Sequence, residues 1–326
     1  MTKLQKEYHN IAELAIEKYD LRIKDLSYFT EETNIFFKLT DYYDNQYLLK
    51  IFQEESSTLE DNLVEVFFIS MINKDNNVSI PNIIKGINGD YIQLIDSKFF
   101  SNTKRVILYS WLEGEDLDEN ENETRFMQLG EVTALMHNTT MGLTLPESMI
   151  PRVWDKVFYY KGEQPVYKNQ QYQKHISMDN IELLDKFIPY LDEKLAMYYK
   201  EGKNNLQLIH ADLNPWNIMV DKGDMHVIDF EDSMLALPIH DIANMLFYYR
   251  YDDRFEYENV KQLYFRGYER VRPLPKFNEF DLDLLMTARR VNFINYVLLV
   301  EDDPRSYIEK NIGRIHDFLN KYQVEL

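Results

Sequence analysis

Between Leu208 and Phe230 the chain reads LIHADLNPWNIMVDKGDMHVIDF, and polar residues crowd one short part of it. An apolar strand ends at His210, and Asp212, Asn214 and Asn217 follow within the next seven residues. A second apolar strand, His226 to Phe230, carries Asp229 between Ile228 and Phe230. A carboxylate among such neighbours needs a counter-charge, because burying it unpaired costs several kcal/mol. A divalent cation supplies that charge, and an Asn amide oxygen with an Asp carboxylate is a hard oxygen pair suited to Mg2+. Asp212, five residues before Asn217, would then accept a proton from a hydroxyl lying beside a metal-bound phosphate. These are the parts of kinase-type phosphoryl transfer: a loop Asp, a metal-binding Asn downstream, and a second metal-binding Asp on the next hairpin. A lone Asp and Asn before Pro215 would read as an ordinary turn. That reading does not account for His-x-Asp-x4-Asn followed closely by a strand-embedded Asp.

The elements that must position these residues fall into two parts. Residues 21–28, 34–39 and 47–52 are rich in β-branched and aromatic residues, with an Asp44-Asn45 turn making the last two a hairpin. A helix is expected over 58–73, with Leu59, Leu63, Val66, Phe67 and Ser70 near one face, and strands at 91–95 and 105–111. After Gly114 the period becomes helical, over 124–139, 179–200, 256–270, 280–300 and 305–322. A short hairpin interrupts the helices, 206–209 with 217–220 and again at 225–230. The expectation is a sheet-rich lobe to about residue 112 and a larger helical lobe after it, with the ligand in a cleft between them. Lys50 shares a strand face with Leu48 and Phe52. It is therefore either a snorkelling edge residue or a buried cation with partners.

Composition narrows the partners. The 326 residues are 45% apolar, enough for a large core, and carry a formal net charge of −19. So acidic a chain disfavours nucleic acid, which wants a basic footprint. It suits a cationic partner, although solubility alone explains it as well. There are no cysteines, so disulfides and thiolate metal sites are excluded. With no signal-like N-terminus and no membrane-length apolar run, a cytoplasmic location and no membrane partner are expected. Glycine is scarce, 10 residues in all, and the first is Gly86. No glycine-rich phosphate loop can stand in the first quarter of the chain, which excludes an N-terminal dinucleotide fingerprint or P-loop.

HADLNPWN followed by VIDFED resembles the aminoglycoside phosphotransferase and choline kinase superfamily of small-molecule kinases. Leu129-Gly130 with Leu135 and His137, Trp111-Leu112-Glu113-Gly114 and His240-Asp241-Ile242-Ala243 extend the likeness over about residues 25 to 250. The resemblance implies an α+β, protein-kinase-like bilobal fold, with residues 1–112 as the nucleotide-binding lobe and 113–326 as the helical catalytic and substrate-binding lobe. It implies ATP or GTP as co-substrate, Mg2+, and transfer of phosphate to a hydroxyl of a small molecule such as an aminoglycoside, amino-alcohol or homoserine-like metabolite. By position Asp212 would be the catalytic base, and Asn217 and Asp229 the metal ligands. His210 would support the loop, and Asp241 would be a structural hydrogen-bond acceptor. Lys50 would meet nucleotide phosphates and a carboxylate of the following helix, for which Glu65 is best placed. The Ser110 carbonyl and Leu112 amide would be the adenine partners.

The sequence also departs from the family. A glycine-free turn at residues 28–34 stands where many members carry glycine, leaving Thr30, Thr33 and Asn34 as donors to phosphate. Ala211 stands where glycine is frequent. Glu231 follows Asp229-Phe230 where protein kinases have glycine, and no activation-loop segment fits between Asp232 and Asp241. Both features favour a small-molecule kinase over a protein or stress-type kinase, and the intact Lys50, Asp212, Asn217 and Asp229 set argues against the other alternative, a catalytically silent nucleotide-binding module. Acidic groups that would suit an amine-bearing acceptor are Glu231, Asp232, Glu301, Asp302 and Asp303. Trp154, Tyr159, Tyr160 and Tyr167, and the aromatic helix at 289–296, either cover the acceptor or pack the core.

Overall fold

Along residues 35–41 buried side chains alternate with half-buried ones, Ile35, Phe37 and Leu39 pointing to one face. This period of two makes a strand with one face in a core. In the computed structural model, which describes residues 3–53, 57–160 and 162–326, that strand is β2 (Ile35–Asp41), between β1 (Ile23–Glu31) and β3 (Gln46–Ile51). The antiparallel sheet runs β1-β2-β3-β6-β4, with β6 (Lys104–Ser110), β4 (Ile83–Ile84), and β5 (Gln93–Ile95) also pairing β6. The expected hairpin is present, with Asp44 left-handed at φ 67° in its turn. Helix α1 (Lys3–Ile16) lays Tyr8, Ile11, Ala12 and Ala15 on Phe37, Leu49 and Leu108. That helix was not expected.

Helix α2 (Leu59–Asp75) starts at a capping box, Thr58 accepting from Asp61 N while the Asp61 carboxylate accepts from Thr58 N. Its buried face is Val64, Glu65, Phe68, Ile69 and Ile72, whereas Leu59 and Leu63 are exposed. Of the expected face, Leu59, Leu63, Val66, Phe67 and Ser70, only Val66 is buried. Apolar residues occur all round this helix, so the period does not select a face. A three-stranded sheet, β10 (Asp224–Val227), β9 (Ile218–Asp221) and β7 (Glu115–Asp116), completes this unit, which comprises residues 1–121, 144–151 and 216–233.

The second unit, residues 122–143, 152–215 and 234–326, is helical. It contains α3 (Glu123–Thr140), α4 (Met178–Gly202), α5 (Ile239–Tyr249), α6 (Tyr257–Glu269), α7 (Glu279–Val300) and α8 (Arg305–Tyr322). Helices α3 and α6 pack closely where Gly130 faces the Tyr264 carbonyl and Gly267 faces the Met127 carbonyl. A two-stranded ribbon joins β8 (Gln207–Ile209) to β11 (Met234–Ala236). The expected pairing of 206–209 with 217–220 is therefore corrected, since β9 pairs with β10 and β7. With three residues each, such strands carry too little pattern to announce their partners.

Candidate active site

In the first unit, β3 presents Lys50 toward α2, and the lysine is only 2% exposed. An ammonium buried this far must be paired. Its Nζ lies 2.6 Å from Glu231 Oε2, 3.3 Å from Glu65 Oε1 and 3.6 Å from Asp229 Oδ1. Burial alone would lower the Lys50 ammonium, but the charges of Glu231, Glu65 and Asp229 outweigh it and hold the group above the ordinary lysine range. Glu65 also accepts the Tyr109 hydroxyl at 2.6 Å, which fixes its carboxylate from β6. Burial pushes the Glu231 carboxyl up to about 7, against the lowering pull of Lys50 and helped by Asp229 and Asp232.

Asp229 is not embedded in a strand as expected: β10 ends at Val227, and Asp229 stands two residues beyond it with a left-handed backbone, φ 61°, which a strand does not accommodate. Such conformations concentrate at functional sites. Its side chain stays 41% exposed while Lys50 flanks it. Asn217 ends a single 3-10 turn, Pro215–Asn217, and its carbonyl accepts the Ile228 amide at 3.0 Å, tying the two candidate metal residues to one backbone frame. Among the described residues no group of three or more His, Cys, Asp or Glu could hold a metal. Asn and Asp oxygens fit Mg2+, which takes one or two protein carboxylates and completes its shell with water and substrate phosphate.

Asn34 is buried; its Nδ2 donates to Glu231 Oε2 at 2.5 Å and its Oδ1 accepts the Gln53 amide at 3.2 Å. The turn before it is shorter than expected: residues 28–31 belong to β1, with a register shift between Tyr28 and Thr30, and only 32–34 turn. Ser110 ends β6, bonded through its amide and hydroxyl to the Asn82 backbone, and Leu112 lies just beyond in the segment leading to Gly114.

In the second unit, Asp212 follows β8 in a loop held from α5. Asp241 Oδ1 accepts the Ala211 amide at 2.7 Å, and its Oδ2 accepts the His210 amide at 3.0 Å and lies 3.0 Å from His137 Nε2. Asp241 is thus the structural acceptor expected of it. His210 supports the loop, its Nδ1 accepting the Asp212 amide at 3.3 Å. Asp212 Oδ2 accepts from Asn214 Nδ2 at 3.0 Å, and Oδ1 is ion-paired with Arg289 of α7.

Lys50, Glu65 and Asp229 are therefore brought together in one unit. Asn34 joins them through Glu231. Two partners were missed. Glu231 was placed among the acceptor-side acids, whereas it is the nearest carboxylate to Lys50; its position next to the Asp229-Phe230 pair was the available signal. Arg289 sits in a helix read as ambiguous, and no local spacing links it to Asp212. Of the four aromatics, Trp154, Tyr159 and Tyr167 are buried, and the Tyr167 hydroxyl donates to Asp185 at 2.9 Å.

The model of the phosphotransferase enzyme family matches residues 30–274. The chain belongs to this family. One similar relative is an amicoumacin kinase of Bacillus subtilis (strain 168), 26% identical over 208 residues, which are 59% of this chain and 56% of that kinase. Among solved structures, an amicoumacin kinase in complex with AMP-PNP, Ca2+ and Ami superposes with a TM-score of 0.76 at 17% identity, covering 97% of this chain and 96% of that one. A microcompartment-associated aminopropanol kinase gives 0.75 at 22% identity, covering 94% and 93%. A choline kinase from Cryptosporidium parvum gives 0.58 at 16%, covering 92% and 89%. The family's fold is thus the α+β, protein-kinase-like one expected. Among the described residues no helix is long and apolar enough to cross a membrane.

Proposed function

We propose that the chain transfers the γ-phosphoryl group of ATP, or GTP, to a hydroxyl of a small molecule in the presence of Mg2+. The observation that carries this reading is Lys50, a buried ammonium shared by Glu65, Glu231 and a partly exposed Asp229, in a chain of the phosphotransferase family. Lys50 would hold the nucleotide phosphates, with Glu65 and Tyr109 fixing its direction. Asn34 would stand beside the phosphates, and the Ser110 carbonyl and Leu112 amide would meet the adenine. Asn217 and Asp229 would hold the metal, which when bound neutralises charge on the phosphates.

Asp212 would orient the acceptor hydroxyl. As that oxygen bonds to the γ-phosphorus its proton passes to the Asp212 carboxylate, while the bond from phosphorus to the bridging oxygen breaks and leaves the nucleoside diphosphate. Most of the rate would come from positioning and electrostatics. The named relatives act on amicoumacin, aminopropanol and choline, so an amine-bearing alcohol is the acceptor class to try first.

The test is a Mg-ATP turnover screen across aminopropanol, choline, amicoumacin and aminoglycosides, with Asp212→Ala alongside. The expected result is a phosphorylated alcohol, with turnover in Asp212→Ala lowered about 10²–10⁴-fold and nucleotide binding retained. Near-normal turnover in that variant would remove Asp212 from the role of base. Label appearing on added protein and on no alcohol would overturn the small-molecule acceptor.

A further inference from the structure

Asp212 shares its charge with a buried cation. Arg289 is 5% exposed on α7, and its Nη2 donates to Asp212 Oδ1. Nη1 donates to the Tyr159 hydroxyl at 3.0 Å, and Cζ lies 4.6 Å from the Phe293 ring centre and 5.9 Å from that of Trp154. The guanidinium is therefore fixed on both arms and packed against aromatic rings. A lysine could not reproduce this, because its single ammonium has no planar fork. Among the groups that face Asp212 are Arg289 of α7, Tyr248 of α5, whose phenol senses both Asp212 and Arg289, and His210 of its own loop. Tyr159 faces the pair through Arg289.

The carboxylate is thus held at both oxygens, Oδ1 by Arg289 and Oδ2 by Asn214, while 21% of the side chain remains exposed. A base in phosphoryl transfer must be ionised when the alcohol arrives and must point one way; its strength matters less, because positioning supplies most of the catalysis. We propose that Arg289 is the positioning residue of Asp212, holding its carboxylate ionised and in one orientation for the acceptor hydroxyl. This rests on the reading of Asp212 as the base.

The test uses the full chain labelled with 13C at the Asp carboxyls, with the Asp212 signal identified by its loss in Asp212→Asn. An opposite charge at this range lowers a carboxyl by about one to three pH units. The Asp212 titration midpoint should therefore rise by that much in Arg289→Gln and Arg289→Met, and stay near the wild-type value in Arg289→Lys. A midpoint unmoved in the neutral variants overturns the proposal. Should those variants fail to fold, the Arg289 guanidinium is followed by 15N NMR in wild type and Asp212→Asn. Rotation about its Cζ–N bonds should be hindered in the first and released in the second, and identical behaviour overturns the proposal. Turnover of Asp212→Asn separates the two readings. Near-normal turnover removes the base while leaving the ion pair intact, whereas an unmoved titration removes only the role of Arg289.

Discussion

Asp241, in the first turn of α5, accepts the backbone amide of Ala211 at 2.7 Å, one residue before the proposed base. Ala211 sits at φ 68°, a left-handed conformation that costs a non-glycine residue about 1–2 kcal/mol. The buried carboxylate holds the loop in that conformation by taking the His210 amide as well, at 3.0 Å. Burial alone would raise the Asp241 carboxyl, but hydrogen bonding and charge from His137, with His210 and the Ala211 amide, keep it below the ordinary range.

Asp241→Ala leaves two buried amides without their acceptor, at about 1–3 kcal/mol each. The expected loss of stability is about 3 kcal/mol, read by urea unfolding at pH 7.5. Turnover should fall with it, since the loop carries Asp212. A loss below about 1 kcal/mol would mean that the loop is held by something other than this carboxylate.

The neighbouring His240 gives stability a dependence on acid. It is buried, its Nδ1 lies 3.1 Å from the Tyr199 hydroxyl, and its Nε2 has no hydrogen-bond partner. Burial lowers its pKa to about 3, although Asp241 and the Leu237 backbone pull the other way. The unfolded chain protonates it near 6.5. Its contribution is therefore full above about pH 6.5 and drains as pH falls toward about 3. Asp241 acts only lower, below the ordinary Asp range of about 3.8. Glu231, raised to about 7, acts the other way over pH 7 to 4.5 in both proteins, so the check is the difference between them. As pH falls, the unfolding midpoint of His240→Gln should drop less, or rise more, than that of the wild type. Equal slopes would contradict a neutral buried ring.

How much of this was legible follows from distance along the chain. Asp212, Asn217 and Asp229 lie within one short stretch, so spacing alone raised their chemistry. Lys50 and Glu65 follow from strand-then-helix order. Arg289 lies 77 residues beyond Asp212, and a pairing at that range depends on how helices pack, which no local pattern states. Glu231 was noticed as a departure, yet its partner could not be read, because one residue's shift after a left-handed Asp229 decides which way it points. Helix α1 did carry a signal: Tyr8, Ile11, Ala12 and Ala15 recur at helical spacing. Its small alanines merely made the stripe look thin.

Lys50 should act as a structural keystone in addition to the phosphate-binding role proposed for it. Lys50→Met leaves Glu231, Glu65 and Asp229 without their shared cation, and breaking such a buried arrangement costs about 3–5 kcal/mol. The Glu231 carboxyl already stands at about 7, above its ordinary 4.5. A carboxyl raised in the folded state contributes most below its unfolded pKa and loses that contribution as pH rises through the folded value. Without Lys50 the three carboxyls rise further, so the deficit of the variant should grow with pH. Urea unfolding at pH 5 and pH 8 should show the larger deficit at pH 8. Equal deficits would assign the loss to packing.

The scarce glycines supply a final contrast of sign. A Cβ at Gly130 would overlap the Tyr264 carbonyl oxygen, and one at Gly267 the Met127 carbonyl oxygen. Both obstacles are backbone, which cannot swing aside as a long side chain would. Gly130→Ala and Gly267→Ala should each cost about 3 kcal/mol by forcing α3 and α6 apart. The double variant should cost less than twice that, because one displacement relieves both clashes. Gly313, exposed within α8, has nothing within 4 Å of a built Cβ. Gly313→Ala should therefore stabilise by about 0.5–1 kcal/mol, through helix propensity and a less flexible unfolded chain. Thermal unfolding of the four variants checks the set. A neutral Gly130→Ala would show that the two helices have room to separate, and a destabilising Gly313→Ala would show that α8 is covered at that position.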